Sequence, residues 1–208
     1  MLPMNSNPYI FSFTALAFRL NDTIKFYEQW KSQNDDPVSI PEEMAEGKAS
    51  TSTWKRQQRE YVRRITALTP FQQPLLLSPD YDTARQIAFL GVCKAYEFIL
   101  DFTVEVLRTK VEVFDFQVTQ GDIQGFLNRK SLNHPELDNS SERTIKKAVQ
   151  VMLRILEEAG VIDSAKSLKI LPQLVNREVA AAIAEENPEW LKIYLFSDAD
   201  IKNLTNNL

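Results

Sequence analysis

Apolar residues recur at helical spacing along most of the chain, and this pattern predicts a mainly α-helical fold. Leu16, Leu20, Ile24 and Tyr27 follow one another at intervals of three or four residues, which predicts a helix over 13–31. The same spacing predicts further helices at 52–68, 82–109, 119–130, 140–159 and around 180–184. The longest of these is expected to be the central core helix and to break near its glycine, Gly91.

Prolines, acidic residues and β-branched residues divide the helices from one another. Residues 35–47 contain two prolines and five acidic residues, so they are expected to form a loop. Three prolines between 70 and 79 predict a short helix or turn followed by a loop. Residues 111–118 are rich in β-branched and aromatic side chains and predict a short strand. A polar loop is expected at 133–139 and a frayed tail at 203–208.

The segment 119–171 is the most informative part of the sequence. Thr119 is placed to cap a short helix, with Asp122 at the third helical position, and Gly160 is placed to end the long helix that follows. Residues 161–162 and 168–170 are then expected to pair as a two-stranded hairpin around the turn 163–167. This order of elements is typical of a winged helix, in which the second helix of a helix-turn-helix enters the DNA major groove.

The predicted fold is therefore a helical bundle with a C-terminal winged-helix-like unit that carries a short β-hairpin. Three regions follow from this prediction. Residues 1–80 form a helical region with the acidic loop and a basic helix, 81–175 hold the core helix and the winged-helix-like unit, and 176–208 form a C-terminal helix and tail.

Two of the predicted helices carry a basic face. On the long helix, the side opposite the apolar residues holds Arg143, Lys146, Lys147, Gln150 and Arg154. On the helix 52–68, four basic residues fall within about 100° of arc: Lys55, Arg56, Arg59 and Arg63. Lys166 and Lys169 lie on the predicted hairpin. Lysine and arginine neutralise phosphates, while arginine and amide side chains also reach base edges, so these residues are candidates for nucleic-acid binding.

The same faces allow other interpretations. Residues 48–64 carry six basic residues, including Lys48 and Arg64, against Glu60, and the acidic segment 35–46 just before them carries five negative charges. The acidic loop could fold back and pair with the basic helix. The face of the long helix could be the ordinary solvated side of an amphipathic helix. It could also be a protein-docking surface, because winged helices also serve as protein-docking modules.

Composition argues against catalysis. The 208 residues contain one His, one Cys and five Gly, and no glycine motif of the kind that cradles phosphates is present. Cys93 lies on an apolar stripe and is expected to be buried and inert, whereas His134 in its polar loop is expected to be exposed. Glu97, Asp101 and Glu105 would hold a metal in an enzyme, but helix-surface ion pairs or buried caps are the expected role. We predict no catalytic residue, no metal and no cofactor.

The sequence also bears on location and charge. The most apolar stretch, 87–100, is interrupted by Lys94 and Glu97, and no basic residue precedes the apolar run at 9–18. A soluble, cytoplasmic protein without a membrane partner is therefore expected. The formal net charge of −4 averages acidic segments with the two basic faces, so it leaves nucleic-acid binding open.

Several separated blocks of sequence resemble one protein family. They are Val92-Cys93-Lys94-Ala95-Tyr96, Phe98, Asp101-Phe102, Val104-Glu105-Val106-Leu107-Arg108, Ser141-Glu142-Arg143-Thr144, and the helix ending with Leu153, Leu156 and Ala159-Gly160. Their order and spacing over roughly 10–175 resemble the BrxA family of BREX bacteriophage-exclusion systems. The chain departs from the family pattern in its proline-rich segment 70–79 and at Val161-Ile162, where a leucine pair is commoner.

The resemblance carries its own implications. BrxA proteins are mostly helical, have been likened to RNA-binding antitermination proteins of the NusB type, and are encoded beside a DNA methyltransferase, a large ATPase and a phosphatase-like protein. The family has also been labelled an inner-membrane protein, which the absence of a spanning segment contradicts. The resemblance supplies no catalytic motif.

We therefore predict a non-enzymatic nucleic-acid-binding accessory of a phage-defence system, with DNA favoured over RNA. The alternatives are a scaffold for other BREX components and an RNA-binding antitermination-like factor.

Overall fold

Helices make up nearly all of the regular structure. The computed structural model describes residues 8–33, 36–37 and 51–206. Within these ranges the α-helices are α1 (Leu20–Ser32), α2 (Thr51–Thr66), α3 (Tyr81–Ala95), α4 (Glu97–Asp101), α5 (Thr109–Glu112), α6 (Gln120–Ser131), α7 (Pro135–Asp138), α8 (Glu142–Glu158), α9 (Arg177–Glu186) and α10 (Asp198–Thr205). Short 3-10 helices occupy Ser12–Ala15, Gln73–Leu77 and Pro188–Tyr194. The prediction of a mainly helical protein is confirmed.

A helical column from α3 to α5 runs through the centre of the fold. It continues through a π-helical segment, Phe102–Arg108, and its one break lies at Tyr96, whose backbone is extended (φ −135°, ψ 99°). The predicted break at Gly91 is wrong, because α3 passes through this residue without interruption. A Cβ atom on Gly91 would lie 2.7 Å from the carbonyl oxygen of Arg64. The glycine therefore allows close packing of α2 against α3.

The predicted helix 13–31 starts too early. The chain forms a 3-10 turn at Ser12–Ala15, becomes extended at Leu16 (φ −144°), and takes a left-handed conformation at Arg19 (φ 45°) before α1 begins. Leu16 and Phe18 are nevertheless buried. Their apolar character reflects burial of an irregular segment in the core, which the spacing alone cannot distinguish from a helix.

The β-structure predicted from the sequence is wrong for the described residues. Residues 109–112 are helical, and no strand forms anywhere in the described ranges. Pairing is limited to two isolated antiparallel bridges, Gln117 with Lys169 and Ile162 with Ile170. Leu168, which directly precedes Lys169 of the first bridge, adopts a left-handed conformation (φ 58°) and so interrupts extended backbone where a strand was predicted over 168–170. The β-hairpin of the predicted winged-helix-like unit is therefore not supported.

The caps of α6 and α8 agree with the sequence. Thr119 and Asp122 form a reciprocal capping box at the start of α6, and Gly160 follows α8 with a φ of 75°.

Two other segments differ from expectation. The predicted loop 133–139 contains the helical turn α7, and the predicted frayed tail is helical as far as Thr205.

One hydrophobic core joins all parts of the described chain. It includes Phe13 near the N-terminus, Phe98 and Phe126 at the centre, Ile155 on α8 and Ile193 near the C-terminus. The core spans all three predicted regions, whose boundaries stay a prediction. Cys93 is 1% exposed, so its predicted burial is confirmed. Among the described helices, none is both long and apolar enough to cross a membrane.

Candidate nucleic-acid interface

Helix α8 is fixed firmly in the fold by its apolar side. The buried side chains on this side are Ala148, Val151, Met152, Leu153, Ile155 and Leu156. At its N-terminus the Ser141 hydroxyl accepts a hydrogen bond from the Thr144 amide at 3.2 Å. Glu158, at the other end, accepts a hydrogen bond from the backbone amide of Arg19 at 3.1 Å. The helix is therefore a rigid support for whatever its outer side presents.

The outer side of α8 presents all five predicted residues to solvent. We call this set the α8 face: Arg143, Lys146, Lys147, Gln150 and Arg154. No carboxylate in the described part of the chain pairs with Arg143, Lys146 or Lys147. Arg154 differs, because its Nε lies 2.8 Å from Glu158, and this hydrogen bond raises the pKa of the arginine. The first three cations are thus available to a ligand, and Arg154 is already partly neutralised.

Lys166 and Lys169 lie on a turn that is fastened by one carboxylate. Asp163 Oδ1 accepts hydrogen bonds from the Ser167 hydroxyl at 2.5 Å and from the Lys169 amide at 3.0 Å. The hydrogen bond from Ser167 is the main reason that the pKa of Asp163 lies below its usual range. Both lysines are exposed. The turn is therefore ordered by its backbone and side-chain hydrogen bonds, although it lacks paired strands.

The turn is attached to both α6 and α8. The amide of Ala165 donates to Glu157 of α8 at 3.0 Å. On the other side, Gln117 Nε2 donates to the carbonyl of Ser167 at 2.6 Å, just before α6 begins. The structure thus brings Lys166 and Lys169 together with the C-terminal part of α8.

A groove of about 820 Å³ lies between α6 and α8 and adjoins the α8 face. Its floor is apolar, Glu142, Lys146 and Gln150 line its α8 side, and Asp138 of α7 also contributes a carboxylate to the lining. Its α6 side carries three polar side chains at intervals of four residues: Gln120, Gln124 and Asn128. The sequence analysis missed this amide row, although its spacing places all three on one side of a helix.

The four predicted basic residues of α2 are also exposed. Lys55, Arg56, Arg59 and Arg63 have no ion-pair partner within the described ranges. Helices α2 and α8 both contact the 3-10 turn Ser12–Ala15. The two basic faces therefore lie on helices that pack against the same 3-10 turn.

Arg64 and Glu60 do not belong to the exposed basic face of α2, although the sequence analysis counted both in its charge. Arg64 is 3% exposed and donates to the carbonyl oxygens of Ala17 at 2.8 Å and Leu16 at 2.5 Å. Its Nε also lies 3.3 Å from the Tyr96 hydroxyl, which donates to Glu60 at 2.5 Å. Burial is the main cause that raises the pKa of Tyr96 to about 12. Arg64 and Glu60 therefore belong to a buried hydrogen-bonded network and do not face solvent.

One contact bears on the alternative that the acidic segment folds back onto α2. The side chain of Gln58 donates to the carbonyl of Pro37 at 2.7 Å. Asp36 and Pro37 are the described part of the acidic segment 35–46. The remainder of that segment, and Lys48, lie outside the described residues. The alternative therefore stays a prediction.

Two of the three carboxylates singled out in the central column, Asp101 and Glu105, form ion pairs, and their partner is Lys130 of α6. Lys130 lies 2.6 Å from Asp101 and 2.5 Å from Glu105. Burial lowers the pKa of Lys130, but its hydrogen bonds to the two carboxylates outweigh this effect and raise it. Among the described residues, no group of three or more His, Cys, Asp and Glu side chains is placed to hold a metal ion. The prediction that the protein is not an enzyme stays a prediction.

His134 is buried, which corrects the prediction that it is exposed. Its ring stacks on Tyr9, with centroids 3.7 Å apart and planes within 3° of parallel. Its Nδ1 lies 2.9 Å from a carboxylate oxygen of Glu136. The imidazole is covered because the N-terminal segment folds over the loop before α7, a long-range contact that a polar local sequence does not reveal.

Comparison with protein families matches residues 7–187 to BrxA. This chain belongs to the BrxA family. The match confirms the resemblance found in the sequence, and BrxA membership makes this a BREX-associated, antiviral-defence protein. The fold is similar to that in the crystal structure of an uncharacterised protein from Magnetospirillum magneticum, with 16% identity and a TM-score of 0.73 over 91% of this chain and 98% of that chain. A search of curated protein sequences returned no match.

Proposed function

We propose that this BrxA protein is a non-enzymatic, cytoplasmic accessory that binds nucleic acid, preferentially DNA, through the α8 face. The observation that carries the proposal is the exposure of Arg143, Lys146 and Lys147, without ion-pair partners among the described residues, on a helix whose other side is buried. Unpaired cations on a rigid support can contact phosphates without first breaking a salt bridge.

DNA is favoured over RNA by the shape of the interface. The major groove of B-form DNA admits an α-helix, whereas the major groove of A-form RNA is too deep and narrow for side chains to read. In this proposal α6, α7 and α8 act as a helix-turn-helix, and the turn 163–167 acts as its wing. Gln150 would reach a base edge, and Lys166 and Lys169 would contact phosphates beside α8.

The basic face of α2 offers a second surface for the same ligand. Lys55, Arg56, Arg59 and Arg63 would extend the footprint if a nucleic acid reaches both helices. Contact through α8 and its turn alone would use five available cations. Contact that also includes α2 would use four more.

Salt dependence separates these cases. For duplex DNA, log K falls with log[salt] at about −0.9 per neutralised phosphate, which gives a slope of about −4.5 for five contacts and about −8 for nine. Fluorescence anisotropy with double-stranded DNA, single-stranded DNA and RNA in parallel would measure the slope and the preference. Absence of binding at low ionic strength, or binding that salt does not weaken, would refute the proposal.

Charge reversal tests the α8 face directly. The variant Arg143→Glu/Lys146→Glu/Lys147→Glu is expected to abolish binding and leave the helical circular dichroism unchanged. The matched control reverses three exposed cations elsewhere, Lys25, Arg177 and Lys202, and produces the same net charge of about −10. Equal loss of binding in both variants would assign the effect to overall charge.

Other BREX components, including the methyltransferase, the ATPase and the phosphatase-like protein, are possible partners under this proposal. Co-purification before and after nuclease treatment distinguishes the scaffold alternative. A BREX partner that persists after nuclease, together with no binding in the anisotropy titration, would favour a scaffold.

A further inference from the structure

An exposed apolar surface lies between α2 and α3 and shares no residue with the α8 face. Residues 65–79 contain no charged side chain. Within and just after this segment, Phe71 is 69% exposed, Leu77 40% and Tyr81 57%, and Pro74 is also exposed. Large exposed apolar side chains grouped in this way are typical of interaction sites.

The 3-10 geometry explains why these side chains share one side. A 3-10 helix has three residues per turn, so residues three apart are aligned. Pro74 and Leu77 lie three apart within the 3-10 helix Gln73–Leu77, and Phe71 lies three residues before Pro74 in the preceding turn, while Leu76 is fully buried. We call the exposed set, Phe71, Pro74, Leu77 and Tyr81, the apolar stripe.

The apolar stripe is held rigidly from beneath. Gln72 is fully buried, and its Nε2 donates to the carbonyl of Ala182 at 3.1 Å and to Glu186 at 2.9 Å. Its Oε1 accepts a hydrogen bond from Lys94 at 3.0 Å. Gln73 donates to two carbonyl groups at the end of α2. A surface that is already ordered loses little conformational entropy when it binds.

Opposite charges border the apolar stripe. Helix α2 leads into it and exposes Arg59 and Arg63. Helix α9 runs alongside it, since Asn176 contacts Asp80 at one end and Ala182 contacts Gln72 at the other. The outer side of α9 exposes Glu178 and Glu185 against a single cation, Arg177.

We infer that the apolar stripe binds a second copy of this chain about a twofold axis. A twofold interface must be complementary to itself, because each copy contributes the same surface in the opposite direction. The segment 65–79, which holds Phe71, Pro74 and Leu77, carries no charge and can pack on its equivalent without repulsion. A twofold arrangement that sets α2 of one copy against α9 of the other would pair the exposed arginines of α2 with the exposed glutamates of α9. Charge complementarity of this kind selects the partner and its orientation.

This inference does not depend on nucleic-acid binding through the α8 face, but it shares Arg59 and Arg63 with the second contact surface proposed on α2. Its first test is the oligomeric state of the intact protein. Analytical ultracentrifugation over about 1 μM to about 1 mM would show a concentration-dependent dimer that higher salt weakens. Phe71→Asp/Leu77→Asp is expected to raise the dissociation constant at least about 100-fold, because aromatic and aliphatic anchors at the centre of an interface carry most of its binding energy. Leu132→Asp is the matched control, since Leu132 is 82% exposed at the end of α6.

Cysteine cross-linking tests the symmetry. The only native thiol, Cys93, is 1% exposed, and burial raises its pKa, so it does not interfere. Pro74→Cys, at the centre of the apolar stripe, is expected to form a disulfide-linked dimer on mild oxidation, and Leu132→Cys is not. A wild-type protein that stays monomeric throughout, a dimer that survives Phe71→Asp/Leu77→Asp, or equal cross-linking of both cysteine variants would overturn the inference.

Discussion

The neighbouring residues Arg63 and Arg64 are expected to respond very differently to the same substitution. Arg64→Met removes a buried guanidinium that donates to two backbone carbonyl groups and to the Tyr96 hydroxyl, which in turn donates to Glu60. Each buried group left without a partner costs about 1–3 kcal/mol, and breaking a buried charged network costs about 3–5 kcal/mol. We therefore expect Arg64→Met to lower the free energy of unfolding by about 3–5 kcal/mol.

Arg63→Met is the matched control, because Arg63 is exposed and has no ion-pair partner in the described ranges. A surface substitution of this kind changes the free energy of unfolding by less than about 0.5 kcal/mol. Urea unfolding followed by circular dichroism would measure both variants. For a chain of this size, the loss in Arg64→Met corresponds to a fall in Tm of about 6–20 °C.

A second substitution tests the mechanism. In Arg64→Met, Glu60 is left as a buried carboxylate without its compensating cation, and Glu60→Gln removes that charge. The double variant is therefore expected to be more stable than Arg64→Met alone, which is a positive coupling between the two sites. Two results would contradict a stabilising network. One is a similar loss of stability in Arg64→Met and Arg63→Met. The other is a double variant whose loss in free energy of unfolding equals the sum of the losses in Arg64→Met and Glu60→Gln.

Two other predictions concern packing and pH. Gly91→Ala is expected to destabilise the fold by up to about 2 kcal/mol, because overpacking against the α2 backbone at a cost of about 1–3 kcal/mol outweighs the helix propensity of about 1 kcal/mol that alanine gains. Gly125→Ala in α6 meets no backbone and should be neutral or stabilising in thermal unfolding, so equal behaviour of the two variants would exclude the close approach. The hydrogen bond from Ser167 lowers the pKa of Asp163, so its contribution is fully present above the unfolded pKa of about 3.9 and is lost as pH falls through the lower folded value. The Lys169 amide resonance should therefore titrate in NMR with a midpoint below about 3.9, and a midpoint at or above this value would contradict the assignment.

The sequence by itself determined the helical class and the orientation of α8. An amphipathic helix must bury its apolar side, so the positions of Arg143, Lys147 and Arg154 on the opposite side follow from the 3.6-residue period. The caps of α6 and α8 were equally predictable, since Thr119 and Gly160 act through hydrogen bonds and backbone conformation within a few residues. Family membership was also readable, because several blocks of sequence agree with BrxA in order and spacing.

Where the determining contacts are distant in sequence, only the tertiary structure decided the outcome. Tyr9 covers His134 from 125 positions away, which buries a residue in a polar local sequence. Arg64 is buried and Arg63 exposed because of what packs against each side of α2, although both are arginines on one helix. Local spacing reports the period of an element and the side that is apolar. Which neighbour covers each side depends on long-range packing, and that packing separates the cations that hold the core from those that can meet a ligand.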